Sequence, residues 1–352
     1  MSFPEPKYSR TQVQRAGELL TSESALAQRD LSKRFDAWQV LSNWRACHGY
    51  PINTFQATLR TKLKKIDKDA LVAQRLKRTP SILNKLRRFP GMSLSRMQDI
   101  GGLRAVVSTL PQLRKLHANY KNTVFTHALV GEFDYVAKPK TSGYRSIHLV
   151  YKYKLRQSSP YEGLQIELQL RTKLQHAWAT AVETVGTFLE HSLKSSEGPD
   201  EWLDFFALVA SGFAHAERCP LVPGYEHLTL AETNQRIANE ADRLAVRDML
   251  TRYSSAVRAI PAGTARGAYY LIELELTGQA KNVNITPFSR DKLEEANSRY
   301  TEAEREASSG KPMQVVLVSA GSIDSLKRAY PNYFLDTHEF LLQLEKITRT
   351  IV

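Results

Sequence analysis

Between Leu164 and Leu170 the chain alternates strictly: Leu164, Ile166, Leu168 and Leu170 are apolar, and Gln165, Glu167 and Gln169 are polar. Successive side chains of a β-strand leave opposite faces of the sheet. A period of two therefore puts the four aliphatic residues on one face and a single carboxylate, between two amides, on the other. Upstream, Lys138-Pro139-Lys140-Thr141-Ser142-Gly143-Tyr144-Arg145-Ser146-Ile147-His148 is a basic loop hinged on glycine. It runs into a second alternating stretch, with Leu149, Tyr151 and Tyr153. The two strands are spaced to pair as a hairpin, which brings the loop and the carboxylate onto one sheet.

Around this pair the pattern is mixed. Residues 9–48 read as helical, with Ser9 or Thr11 as a cap and Pro51 as the end of the arm. Residues 53–72 continue as a helix, residues 75–81 as a basic turn, and Ser81–Arg88 as a short basic helix stopped by Pro90-Gly91. A strand is predicted at Leu103–Val107, a helix at Leu110–Lys121 and irregular or strand structure at Val124–Val136. Helices follow at 172–194, 199–218 and 230–258. Beyond Pro261-Ala262-Gly263 the pattern changes to strand, strand, helix, strand and two helices (322–330 and 336–349), a small α+β unit. A length of 352 residues is more than one ordinary core needs. The organisation expected is a helical arm (1–50), a main domain (51–218), a helical linker (219–261) and a C-terminal domain (262–352).

Charge sharpens this division. Residues 51–150 hold 19 Lys and Arg against 5 Asp and Glu, a net of +14, which leaves −1 for the rest of the chain's +13. Such a block attracts polyanions: nucleotides, RNA, DNA or anionic lipid. With only two cysteines, Cys47 and Cys219, a disulfide framework or cysteine-rich zinc site is excluded, which fits a reducing compartment. The first residues lack an apolar signal core and no run is long enough to span a bilayer, so a cytoplasmic protein is expected.

Moving a phosphoryl or pyrophosphoryl group requires cations on phosphate oxygens, a carboxylate for Mg²⁺ and a group on the attacking hydroxyl. The basic block offers Arg75, Lys77, Lys85 and Arg104 for the phosphates. Asp99, at the entry to a strand, suits a hard divalent ion, although an aspartate there is also an ordinary loop or capping residue. Tyr144, among Lys138, Lys140, Arg145 and His148, is a platform for a nucleobase or a half-buried core tyrosine. Glu167 is a base for a hydroxyl or a solvated sheet residue. His176 is a phosphate contact or a packing histidine. Walker A, dinucleotide-fingerprint, kinase and HExxH signatures are all missing.

The ordered series Arg75-x-Lys77, Ser81, Lys85, then Asp99-Ile100-Gly101-Gly102-x-Arg104, Lys138-Pro139 to His148, Glu167-x-Gln169-x-Arg171-Thr172 and His176-x-Trp178 resembles the synthetase domain of the RelA/SpoT alarmone synthetases. The resemblance implies an α/β (α+β) fold, with a mixed five-stranded synthetase sheet and flanking helices. It also implies Mg²⁺-dependent transfer of the β,γ-pyrophosphate of ATP to a nucleotide 3′-hydroxyl. By motif, Arg75 and Arg104 would sandwich adenine, and Lys77, Ser81 and Lys85 would hold phosphates. Asp99 and Glu167 would bind metal, and Glu167 would activate the acceptor hydroxyl. Tyr144 would stack on the acceptor base, with Lys138, Lys140, His148, Gln169 and Arg171 in support.

The added C-terminal unit resembles the small α+β, pseudo-zinc-finger-like domain of the CapRel-type fused toxin–antitoxins. That likeness implies an autoinhibited enzyme that modifies the 3′-CCA end of tRNA and blocks translation as an antiphage toxin. Release would come from a phage structural protein such as a major capsid protein. Tyr330-Pro331-Asn332-Tyr333 fits that group's Tyr-x-x-Tyr neutralisation motif, and otherwise reads as two tyrosines in a helix-ending turn. DNA and membrane are not expected partners. The alternatives are a synthetase of guanosine tetra- or pentaphosphate acting on GDP or GTP, and a non-catalytic nucleotide- or RNA-binding regulator.

Overall fold

The computed structural model describes residues 3–22, 24, 30–122, 125–155, 159–189, 193, 197–255, 257–259, 267–275, 281–319, 327, 331–334 and 336–349. Three helices open the chain: α1 (Arg10–Thr21), α2 (Leu31–Ala46) and α3 (Gly49–Lys64). Ser9 caps α1 through a reciprocal box with Gln12. Pro51 does not end a helix but sits in the first turn of α3, where its missing N–H has no intrahelical partner to lose. Next come β1 (Leu71–Leu76), α4 (Thr79–Arg88), β2 (Gly101–Val107), α5 (Leu110–Asn122), β3 (Ala128–Asp134), β4 (Ile147–Lys152) and β5 (Gln165–Thr172). The helices α6 (Lys173–Phe188), α7 (Asp200–Glu217), α8 (Leu230–Arg243) and α9 (Val246–Ser255) follow. The chain ends with β6 (Val257–Ala259), β7 (Tyr269–Glu275), β8 (Lys281–Phe288), α10 (Leu293–Ser308), β9 (Met313–Ser319) and α11 (His338–Arg349).

Two expectations need correction. The strand β1 replaces the helix end and basic turn read over residues 71–76. Its sequence does not alternate because partners lie on both sides of it, and burial then follows the neighbours rather than a solvent face. The single helix read over 230–258 is two helices, broken where Ala245 takes a positive φ of 48° and followed by the short strand β6.

The sheet order is β3-β4-β5-β2-β1-β9-β7-β8-β6. The first five strands form a mixed sheet in which β2 and β5 run parallel and the other neighbours antiparallel. The C-terminal strands do not build a sheet of their own. Instead β9 joins the free edge of β1 through the pair Arg75–Val318 and carries β7, β8 and β6 outward. An unpaired strand edge invites pairing, and here the same chain supplies the partner.

Three apolar clusters flank the sheet. Helices α1 to α3 and α5 pack Leu41, Phe55, Leu59 and Leu116 against Leu103, Leu149, Ile166 and Leu168. Helices α6 to α9 share a second cluster with α11, which inserts Phe340 and Leu344 beside Phe206 and Phe213. Burial of each such side chain stabilises by about 1.5–3 kcal/mol, so α11 ties the C-terminal residues to the middle of the chain. A third, smaller cluster lies under α10, with Leu271, Phe288, Tyr300 and Leu317. Among the described residues no helix is long and apolar enough to cross a membrane.

Candidate active site

Residues directly opposite one another across a ladder share a face. Arg75 lies opposite Gly102, Gly102 opposite Glu167, and Glu167 opposite Val150. One step along, Ala73, Arg104, Gln169 and His148 are opposite in turn, and Arg171 follows opposite Val106. Arg75, Arg104, Glu167, Gln169, Arg171 and His148 therefore stand on one face. The other face carries the aliphatic residues that pack on α1 to α3. The Gly101-Gly102 doublet serves both sides. A Cβ on Gly101 would meet Ile166 at 2.8 Å and His48 and Ile52 at 3.0 Å, so α3 needs that glycine to approach. A Cβ on Gly102 would meet nothing closer than 3.9 Å, which leaves an open floor between Arg75 and Glu167.

On the Glu167 side five side chains close a ring of hydrogen bonds. His148 Nδ1 is 2.7 Å from Glu167 Oε1, and Gln169 Nε2 donates to Glu167 Oε2 at 2.7 Å. His148 Nε2 is 2.8 Å from the Tyr144 hydroxyl, which accepts from Arg171 Nη2 at 2.7 Å. Arg171 Nη2 returns to Gln169 Oε1 at 3.3 Å. Burial opposes the charge of Glu167, as does Asp99, yet the bonds from His148 and Gln169 hold its carboxyl below the usual range. For His148, burial disfavours the cation, but the Tyr144 oxygen and the Glu167 carboxylate move its pKa above the ordinary value. The arrangement is an oriented, ionised carboxylate with both oxygens still able to accept a further hydrogen bond.

The loop that delivers Tyr144 is set by Gly143, whose φ is +85° and whose absent Cβ would lie 2.7 Å from Ala210 and 3.1 Å from Ala207. Only glycine permits both that backbone and that approach to α7. Arg145, read in the sequence as one of the loop's available cations, is instead buried, where it donates to the Ala210 carbonyl. It anchors the loop. Tyr144 departs from expectation too: its ring is 5% exposed and packs in the helical cluster beside Trp178, rather than lying open as a platform. Lys140 is exposed and holds its ammonium 4.5 Å over the Tyr135 ring, and Lys138 is exposed.

On the donor side, Lys77 Nζ and Lys85 Nζ donate to the two oxygens of Asp99, at 2.7 and 2.9 Å. Burial works against the Asp99 charge, but the two ammoniums outweigh it and hold the pKa at about 2. Burial lowers Lys77 in turn, with Asp99 opposing. Helix α4 brings Lys85 to this cluster and carries Ser81, half-buried, in its first turn. Arg75 and Arg104 are diagonal neighbours on β1 and β2. Such positions are roughly 7 Å apart, about twice the 3.5 Å contact distance of a flat ring, which is the spacing that an intercalated base needs. His176, in the first turns of α6, is buried at the edge of the helical cluster.

Sequence reasoning missed what grips the donor segment from the C-terminal side. Glu304, on α10, accepts from the Thr79 N–H at 2.8 Å and from the Thr79 hydroxyl at 2.6 Å. Arg45, on α2, pairs with Glu304 and Thr79 and lies 4.4 Å over the Tyr300 ring. Gln314, on β9, accepts from Arg78 at 3.1 Å and donates to Thr187 at 3.3 Å. Together with the Arg75–Val318 pair, these contacts converge on residues 75–79, the entry to α4. No local pattern in the sequence signals them, since the partners lie more than two hundred residues apart in the chain. Of the neutralisation pair, Tyr330 lies outside the described residues. Tyr333 falls in a short 3₁₀ turn, Pro331–Phe334, packed near α6 and β7, and its side chain is likewise outside them.

Mg²⁺ takes oxygen ligands and is commonly held by one or two carboxylates, with phosphate and water completing the shell. Asp99 and Glu167, both ionised and near enough to affect one another's charge, supply that donor set, so the residues fit the ion. Among the described residues no group of three or more His, Cys, Asp or Glu forms a cage.

Comparison with known proteins agrees with this geometry. Residues 74–187 match the family model described as the region found in RelA/SpoT proteins. The chain is similar to GTP pyrophosphokinase YjbM of Bacillus subtilis (strain 168), 36% identical over 127 residues, which cover 35% of this chain and 54% of that protein. It is also similar to GTP pyrophosphokinase YwaC of the same organism, at 30% identity over 30% of this chain and 52% of that one. The chain thus spans about half the length of the curated relatives it matches. Among solved structures, the small alarmone synthetase 1 of Bacillus subtilis bound to its product pppGpp aligns at 27% identity with a TM-score of 0.40, covering 48% of this chain and 90% of that one. Residues 74–187, which hold every strand of the Glu167 face and the Lys77–Asp99–Lys85 cluster, are the RelA/SpoT region of this chain.

Proposed function

We propose that this chain is an ATP-dependent pyrophosphokinase that transfers the β,γ-pyrophosphate of ATP to a nucleotide 3′-hydroxyl. The carrying observation is the shared sheet face, with Arg75 and Arg104 on one side of the bare Gly102 and the ionised Glu167 on the other. Adenine lies between the two guanidinium groups, with its phosphates toward Lys77, Ser81 and Lys85. The lysines exchange Asp99 for phosphate oxygens as the donor enters. Glu167, oriented by His148 and Gln169, accepts the proton of the 3′-hydroxyl while that oxygen attacks the β-phosphorus. The bond to the bridging oxygen breaks and AMP leaves. Mg²⁺ at Asp99 and Glu167 supplies charge for the phosphate oxygens when bound.

For the acceptor we retain the 3′-CCA end of tRNA, because a net of +14 over residues 51–150 exceeds what one nucleotide uses. The second reading, a guanosine nucleotide as acceptor, is favoured by the curated relatives, both named GTP pyrophosphokinases. The contacts of Glu304 and Gln314 on residues 78–79 support a C-terminal unit that restrains the donor side. In the toxin reading a phage structural protein releases that unit, and Tyr330 and Tyr333 take part in the block. The test is γ-labelled ATP with deacylated tRNA or with GDP and GTP, using the full chain and a Tyr333→Ala variant. Label on tRNA supports the first reading and label on guanosine nucleotides alone supports the second. A Glu167→Gln variant that transfers at the wild-type rate overturns both.

A further inference from the structure

The acceptor base needs a flat surface within one nucleoside's reach of Glu167, and Tyr144 does not offer it. Its ring is buried, its hydroxyl is taken up by His148 and Arg171, and the loop beneath it is locked on α7 by Gly143 and Arg145. A different aromatic surface lies on the same side. Tyr135, half-buried at the end of β3, meets the His148 ring edge-on at 5.4 Å, and His148 is the residue that holds Glu167. Phe133, two residues earlier, lies parallel to Tyr135 with an angle of 8° and centroids 6.1 Å apart, and it is 43% exposed. The turn after Tyr135 is shaped by Asp134, whose carboxylate accepts from the N–H groups of Val136 and Ala137 at 3.0 and 2.9 Å. Lys140 places its ammonium over the Tyr135 ring and is itself exposed, so it can leave that face for a ligand's phosphate.

We infer that Tyr135, extended by Phe133, is the platform on which the base of the acceptor nucleotide stacks, with Lys140 as its attendant cation. The inference rests on Glu167 being the acceptor-side group. Stacking on an aromatic ring tolerates any base, so the same shelf serves a free guanosine nucleotide or the terminal adenosine of an RNA. The hydroxyl of Tyr135 has no part in the role; the ring carries it.

The test is equilibrium binding to the full chain by calorimetry, which needs no turnover, with GDP in one arm and a short RNA ending in CCA in the other. For Tyr135→Ala the dissociation constant of whichever acceptor binds wild type should rise about ten-fold, in line with the loss of one base–aromatic stack. Tyr135→Phe should bind like wild type, and the affinity for a non-hydrolysable ATP analogue should not move in either variant. Unchanged acceptor binding in Tyr135→Ala overturns the inference. So does an equal loss in Tyr135→Phe, a parallel loss of ATP-analogue binding, or a wild type that binds neither acceptor. If Tyr135→Ala unfolds, Tyr135→Leu, which keeps the apolar bulk without a π-face, should show the same ten-fold loss. Glu167→Gln separates the two levels of argument. A fully active Glu167→Gln chain removes the reading of the site, whereas an inactive one beside an unaffected Tyr135→Ala removes only the platform.

Discussion

Glu304 is the contact whose removal should be felt most. Its carboxylate is 3% exposed, and Arg45, which pairs with it, is 4% exposed. The carboxylate also takes the Thr79 N–H at the start of α4, where an anion is favoured by the helix dipole. Truncation by Glu304→Ala leaves a buried guanidinium without its counter-charge, and breaking one side of a buried pair typically costs about 3–5 kcal/mol. The stranded Thr79 N–H lies within the same network, so its cost is part of that figure. Replacing both members by apolar groups removes the stranded charge: Arg45→Met with Glu304→Leu should recover most of the loss. Urea unfolding of the four proteins of this cycle provides the energies, and amide exchange at Thr79 provides the location. Thr79 should lose protection in Glu304→Ala. A loss below about 1 kcal/mol for Glu304→Ala, or single-variant losses that simply add in the double variant, would refute the reasoning.

Two further outcomes follow from the geometry. His48 is buried beneath β2 with Nδ1 2.8 Å from the Trp44 carbonyl, and burial lowers its pKa from 6.5 to about 4. The unfolded chain takes up this proton below pH 6.5 while the folded chain refuses it until about pH 4. Stability should therefore fall as pH drops through that window, by about 3 kcal/mol from this group, and level off beneath it. Unfolding midpoints of His48→Gln measured from pH 7 to 4 should have a shallower slope than wild type; parallel slopes would contradict the assignment. Gly102→Ala places a methyl on the open floor between Arg75 and Glu167 without a clash, so its unfolding midpoint should match wild type while its KM for ATP rises several-fold. Unaltered kinetics would mean that the floor is not occupied by substrate.

Much of the donor and acceptor machinery was legible because it is local. The alternation from Leu164 to Leu170 specifies a strand and the face of Glu167, whatever surrounds it. The basic block, the Gly143 hinge and the Asp99 entry to β2 are also readable in short windows, since charge and backbone freedom belong to single residues. The strand β1 was not legible, because its burial is imposed by β2 and β9. The burial of Tyr144 and Arg145 was not legible either, because it depends on Ala207 and Ala210 of a helix that begins far downstream.

By itself, then, the sequence determined which side chains are available, how they alternate along each strand, and that positive charge is concentrated in residues 51–150. Only the tertiary structure decided which of them meet. Ladder register aligned Arg75, Gly102 and Glu167 across three strands, and packing on α7 turned Tyr144 inward and left Tyr135 as the aromatic surface beside His148. The same register set β9 on the edge of β1 and carried Glu304 to the entry of α4. Those outcomes arise from hydrogen bonds and close packing between segments distant in the chain, and no window of sequence contains both partners.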